Sequence, residues 1–161
     1  MSKPNRIALH ELFLAGAMKL DLAASRQDEV LAELVDQIRE IADNPTARET
    51  LLRALHEREQ LHSTGIGDGI ALPHARNALV GLVDHSLLVF GRHKEGINYG
   101  AIDGIPARLF FLLVAPTVTE HLAILARLSR ILRVPKVRKA LLAADSPEKA
   151  ISVIREAEAE K

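Results

Sequence analysis

"RLFFLLVA", residues 108–115, decides how this chain folds. One arginine is followed by seven apolar residues without alternation, the pattern of a strand covered on both faces. "SLLVF", residues 86–90, reads the same way. Between the two, "HKEGINYGAIDGIP" carries Gly96, Gly100, Gly104 and Pro106, and is expected to be a hairpin-like connection containing one short strand. Strands buried on both faces require a helical layer above and another below, and the flanks of the chain can supply them.

Upstream, Ser25 and Asp28 have the spacing of a capping box, and Val30, Leu31, Leu34, Val35, Ile38 and Ile41 follow as one stripe with the 3.6-residue period. "DNP" at 43–45 stops that helix and opens the next, with Asn44 as cap and Pro45 in the first turn. Leu51, Leu52 and Leu55 form its buried stripe, and Arg58 lies near its end. Downstream, Thr117 and Glu120 make a second capping box before Leu122, Leu125, Leu128 and Leu132. Pro135 ends that helix, a short one runs to about Leu142, and Ser146 with Pro147 opens a last one. The expected architecture is α/β, a three-layer sandwich whose central mixed β-sheet is flanked by helices. It forms a single domain over residues 1–161 with frayed ends.

The charges narrow the function classes. Basic and acidic residues balance at 21 each, whereas a nucleic-acid binder carries a basic excess, so no nucleic-acid partner is expected. Without cysteine, disulfides, thiolate metal sites and cysteine nucleophiles are excluded. The histidines are too far apart in sequence for a familiar ligand motif, so neither metal nor cofactor is expected. The amino-terminal stretch "MSKPNRIALHELFLAGAMKLDL" has short apolar pieces broken by His10, Glu11 and Lys19, too short to span a membrane. The expectation is a soluble, cytoplasmic protein.

"HSTGIGDGIALPHAR", residues 62–76, holds the chemistry. Gly65, Gly67 and Gly69 lie after a helix and before a strand, the reverse of the order a dinucleotide-binding loop needs. They read either as an ordinary turn or as backbone that must take positive φ, or approach a neighbour closely, to place the next strand. Pro73 locks its own φ and pushes Leu72 towards extended geometry, so the backbone leading to His74 is stiff. A neutral imidazole offers a nucleophilic lone pair near neutral pH, and covalent histidine intermediates serve group transfer. By residue type alone Arg58 reads as a counter-charge to Glu57 and Glu59 on a solvated helix end, and His121 as a helix-surface residue.

Taken together, "STGIGDGIALPHAR", "LLRALHEREQL" upstream and "LFFLLVAPTVTEHLAILARLSRIL" downstream resemble, in order and spacing, the IIA domains of the bacterial phosphotransferase system of the fructose/mannitol type, among them the nitrogen-regulatory IIA proteins. The resemblance covers nearly the whole chain. It implies that His74 is phosphorylated at Nε2, that His121 lies beside it and that Arg58 faces the phosphorylated site. Ser63 and Thr64 offer hydroxyl donors near the same loop and are expected to bind the phosphate. The resemblance also implies a phosphohistidine donor of the HPr type. The acceptor is either a separate IIB protein with a cysteine or, in a nitrogen-regulatory role, a set of regulated partners. His62 receives no role.

Overall fold

The computed structural model describes residues 8–76 and 81–159. The chain order is α1 (Leu9–Leu12), β1 (Phe13–Lys19), α2 (Gln27–Val35), α3 (Arg39–Ala42), α4 (Pro45–Leu61), β2 (Gly65–Gly67), β3 (Ile70–Ala71), β4 (Leu87–Ile97), β5 (Ala107–Val114), α5 (Val118–Leu132), α6 (Pro135–Ala143) and α7 (Pro147–Ala159). The strands form one sheet in the order β1-β4-β5-β3-β2. The β1/β4 and β3/β5 pairs are parallel, and β4/β5 and β2/β3 are antiparallel. The sheet is therefore mixed and the three layers are as expected.

Alternation along the two central strands builds two cores, because successive side chains leave a strand on opposite faces. Leu87, Val89, Phe110, Leu112 and Val114 pack with Val30, Leu31, Leu34, Leu51 and Leu55 of α2 and α4. Leu88, Phe90, Leu109, Phe111 and Leu113 pack on the other face with Ile124, Leu128, Leu141 and Ile154 of α5, α6 and α7. Every one of these side chains is buried. Phe111 is the centre of an aromatic trio, its ring centroid 5.0 Å from Phe90 and 6.2 Å, edge-on, from Phe13. Phe111→Ala is expected to cost about 3–5 kcal/mol and lower Tm by roughly 10 °C, read by thermal and urea unfolding. A loss below about 1 kcal/mol would mean that the trio does not carry this core.

The helix starts follow their caps. Asn44 Oδ1 accepts from Ala47 N at 3.2 Å, Thr117 Oγ1 from Glu120 N at 3.2 Å, and Ser146 Oγ from Lys149 N at 3.2 Å. Three readings change. Ser25 does not cap α2: the N-cap is Arg26, without a side-chain bond, and Ser25 N and Oγ both donate to Glu29 Oε1, the third residue of a helix that begins only at Gln27. The stripe from Val30 to Ile41 is two helices, because Ile38 is extended and breaks the run while remaining fully buried. No separate short strand lies between the central strands among the described residues. Instead β4 continues through Arg92 to Ile97 past a register shift and pairs Ile97 with Ala107. The amino-terminal apolar pieces supply β1, an edge strand the sequence reading did not assign.

Candidate active site

The glycine-rich stretch is a hairpin. Gly67, Asp68 and Gly69 have φ of 92°, 57° and 79°, and they turn β2 back into β3. A Cβ on Gly67 would stand 2.9 Å from Asp103 Oδ2, the atom that accepts from Asp68 N at 2.9 Å. Both readings of these glycines thus hold: the turn needs positive φ, and a neighbouring loop closes against it.

The hairpin delivers β3 in parallel register to β5, with Ile70 opposite Leu109 and Ala71 opposite Phe110. The same register persists beyond the strand, where His74 bridges Leu113 and Pro73 O accepts from Leu113 N at 3.0 Å. On the other side Leu72 N donates to Thr64 O at 3.0 Å. His74 therefore stands at the carboxyl end of a parallel strand, where α/β sheets open the crevice that takes ligands.

From the next element along the sheet, β5, the chain passes through Pro116 and Thr117 into α5, and His121 falls in that helix's first turn, buried. Its ring lies edge-on to His74, with centroids 5.3 Å apart. His74 Nδ1 stands 2.7 Å from Leu72 O. Only an N–H can donate to that carbonyl, so Nδ1 carries the proton and Nε2 keeps its lone pair. Among the described residues Nε2 has no hydrogen-bond partner.

Arg58 approaches from α4. Its Nη1 donates to His62 O at 2.7 Å, closing the helix end, and its charge acts on His74. His74 is held below the ordinary imidazole pKa mainly by burial and secondarily by the Arg58 cation, against the opposing pull of the Leu72 carbonyl. His121 is lowered as well, by burial and then by His74. Both rings are neutral at pH 7. Phosphoryl uptake is accordingly expected to fall on the acid side with a midpoint below pH 6.5, the ordinary imidazole value. Stability follows the same sign. Well above pH 6.5 neither the folded nor the unfolded form binds these protons. Below it the unfolded chain binds more of them, so stability drops with falling pH until the folded pKa is passed. A rate midpoint at or above pH 6.5 would contradict the burial of these rings.

Ser63 and Thr64 sit beside this crevice, but their hydroxyls are committed elsewhere. Ser63 Oγ donates to Tyr99 O and accepts from Gly65 N at 2.9 Å. Thr64 is buried and its hydroxyl donates to the Glu59 carboxylate. These groups build the turn. His62 ends α4 and lends its carbonyl to Arg58.

Glu59 and Tyr99 are the residues the sequence reading passed over. Glu59 Oε1 accepts from Thr64 N at 2.8 Å and Gln27 Nε2 at 3.2 Å, and Oε2 from Tyr99 Oη at 2.9 Å and Thr64 Oγ1. Tyr99 is buried among these groups, its phenol pushed well above the ordinary value by burial and the Glu59 charge. The sequence held one signal: in a chain with a single tyrosine and no tryptophan, a phenol that enters the core needs a polar partner.

A family model described as "Phosphoenolpyruvate-dependent sugar phosphotransferase system, EIIA 2" matches residues 11–157. The chain belongs to this family. It is similar to the PTS system fructose-specific EIIABC component of Bacillus subtilis, 36% identical over 151 residues that cover 91% of this chain but only 23% of that protein. It is similar as well to the nitrogen regulatory protein of Pseudomonas aeruginosa, 29% identical over 152 residues, covering 92% of this chain and 95% of the relative. The crystal structure of nitrogen regulatory protein IIA-Ntr from Neisseria meningitidis superposes with a TM-score of 0.79 at 28% identity, over 90% of this chain and 97% of that one. As an EIIA of this type the chain is a phosphotransferase-system component. Among the described residues no helix is long and apolar enough to cross a membrane.

Proposed function

We propose that His74 Nε2 takes a phosphoryl group from a phosphohistidine carrier of the HPr type. The observation that carries this reading is the ring's orientation: the Leu72 carbonyl holds the proton on Nδ1, and Nε2 is left as the nucleophile beside the buried, neutral His121. In the transfer, the Nε2 lone pair bonds to phosphorus as the donor's N–P bond breaks, and that bond's electron pair stays on the donor imidazole. The Leu72 carbonyl stabilises the positive charge that develops on the His74 ring. The phosphoryl oxygens carry charge near −1.5 to −2, by analogy with phosphoserine. Arg58, released from His62 O, meets two of these oxygens with its fork, and the His121 ring supplies an N–H to a third. Ser63 and Thr64 act by shaping the hairpin under this group.

The onward role has two readings. A regulatory role, in which the added charge changes partner choice, is supported by the match over almost the full length of the Pseudomonas nitrogen regulatory protein. A sugar-transport role, with the phosphate passed to the cysteine of a separate IIB protein, is supported by the higher identity to the fructose-specific component. The deciding experiment gives the phosphorylated protein a fructose-type IIB and its permease with sugar. A phosphoprotein that stays labelled and captures partners only in that state is the expected, regulatory result. Label reaching the sugar would establish transport.

A further inference from the structure

The Glu59 carboxylate takes four hydrogen bonds, from Thr64 N, Thr64 Oγ1, Tyr99 Oη and Gln27 Nε2, and none of them involves His74. What it holds is one end of a continuous chain of bonds. Glu59 fixes the Thr64 peptide. The Thr64 carbonyl accepts from Leu72 N at 3.0 Å, and the Leu72 carbonyl then accepts from His74 Nδ1 at 2.7 Å. The bonds are joined through the Thr64 and Leu72 backbone, and the segment that carries them is stiffened by Pro73 and by the β5 register.

We infer that Glu59 is a positioning residue for phosphoryl transfer: acting through the Thr64 and Leu72 peptides, it holds His74 as the tautomer with the proton on Nδ1 and the lone pair on Nε2. The inference rests on His74 being the acceptor. The tautomer of an imidazole is set by the bond its other nitrogen makes, so a carbonyl that drifts from Nδ1 releases the proton to either nitrogen. Glu59 also adjoins Arg58 on the last turns of α4, so the same anchor fixes the helix end from which the guanidinium reaches. One carboxylate thereby sets the nucleophile strand and the arginine in a common frame, as the supporting groups around a reactive site do.

The test uses the full chain with ¹⁵N-labelled histidine. In the wild type the His74 ring shows a protonated Nδ1 and an unprotonated Nε2. In Glu59→Ala its resonances are expected to move towards a mixture of the two tautomers, with phosphoryl uptake from phosphorylated HPr slowed about 10- to 100-fold. Glu59→Gln keeps an acceptor for Thr64 N and a donor for the two hydroxyls, and is expected to recover the wild-type ring spectrum and most of the rate. Should Glu59→Ala fail to fold, Glu59→Asp, which withdraws the carboxylate by one methylene, carries the same expectation. A folded Glu59→Ala or Glu59→Asp whose ring spectrum stays that of the wild type overturns the inference, whether its rate falls or not. The ring spectrum is read without phosphate, so a wild type that is never labelled on His74 defeats the acceptor assignment separately from the tautomer result.

Discussion

His74→Ala is expected to fold as the wild type does and to take up no label from phosphoenolpyruvate, enzyme I and HPr. The side chain is half-buried and makes one hydrogen bond, to Leu72 O, so its removal takes little from the cores on either face of the sheet. What it removes is the ring whose Nδ1 is tied to the Leu72 carbonyl and whose Nε2 is left with its lone pair. The neighbouring His121, edge-on to it in the first turn of α5, is buried and is not expected to substitute. Equal labelling of wild type and variant, or none of either, would defeat the assignment.

Arg58→Ala is expected to slow uptake by roughly 10²–10³-fold, the range found when one preorganised charge-stabilising donor is removed. The fold should survive, because in the unphosphorylated state Arg58 contributes a bond to the His62 carbonyl at a helix end, worth about 1 kcal/mol or less. Arg58→Lys should recover only part of the rate, since an ammonium keeps the charge but not the two-pronged geometry that fits a phosphoryl group. Loss of the Arg58 cation also removes one of the two causes that lower the His74 pKa, so the acid limb of the rate profile should move to higher pH in Arg58→Ala. Unchanged rates in both variants would strip Arg58 of its role.

Much of this frame was legible before any coordinates. The apolar runs within 86–90 and 108–115 fall in β4 and β5 at the centre of the sheet, where both faces of a strand are covered. Asn44, Thr117 and Ser146 head their helices because a side-chain oxygen there satisfies an amide the helix itself cannot. Less visible were the features that lie between elements. A hydrophobic period records which side chains are buried and not whether the backbone stays helical between them, which is why the break at Ile38 left no trace in the stripe. β1 was hidden because "FLAGAMK" has little strand propensity of its own, and it is a strand through its pairing with β4.

The site divides along the same line. Sequence supplied the candidates His74, His121 and Arg58, the last two through the family resemblance, and determined the stiff Leu72–Pro73 approach to the first of them, because proline acts on its immediate neighbours wherever it occurs. Tertiary structure decided which nitrogen of His74 is free, that Ser63 and Thr64 turn their hydroxyls inward, and that Glu59 and Tyr99 join the assembly at all. The Ser63 and Tyr99 bonds among these join residues 36 and 40 positions apart. A bond of that kind exists only once the sheet has brought its donor and acceptor within three ångströms, and no local pattern in the chain encodes that distance.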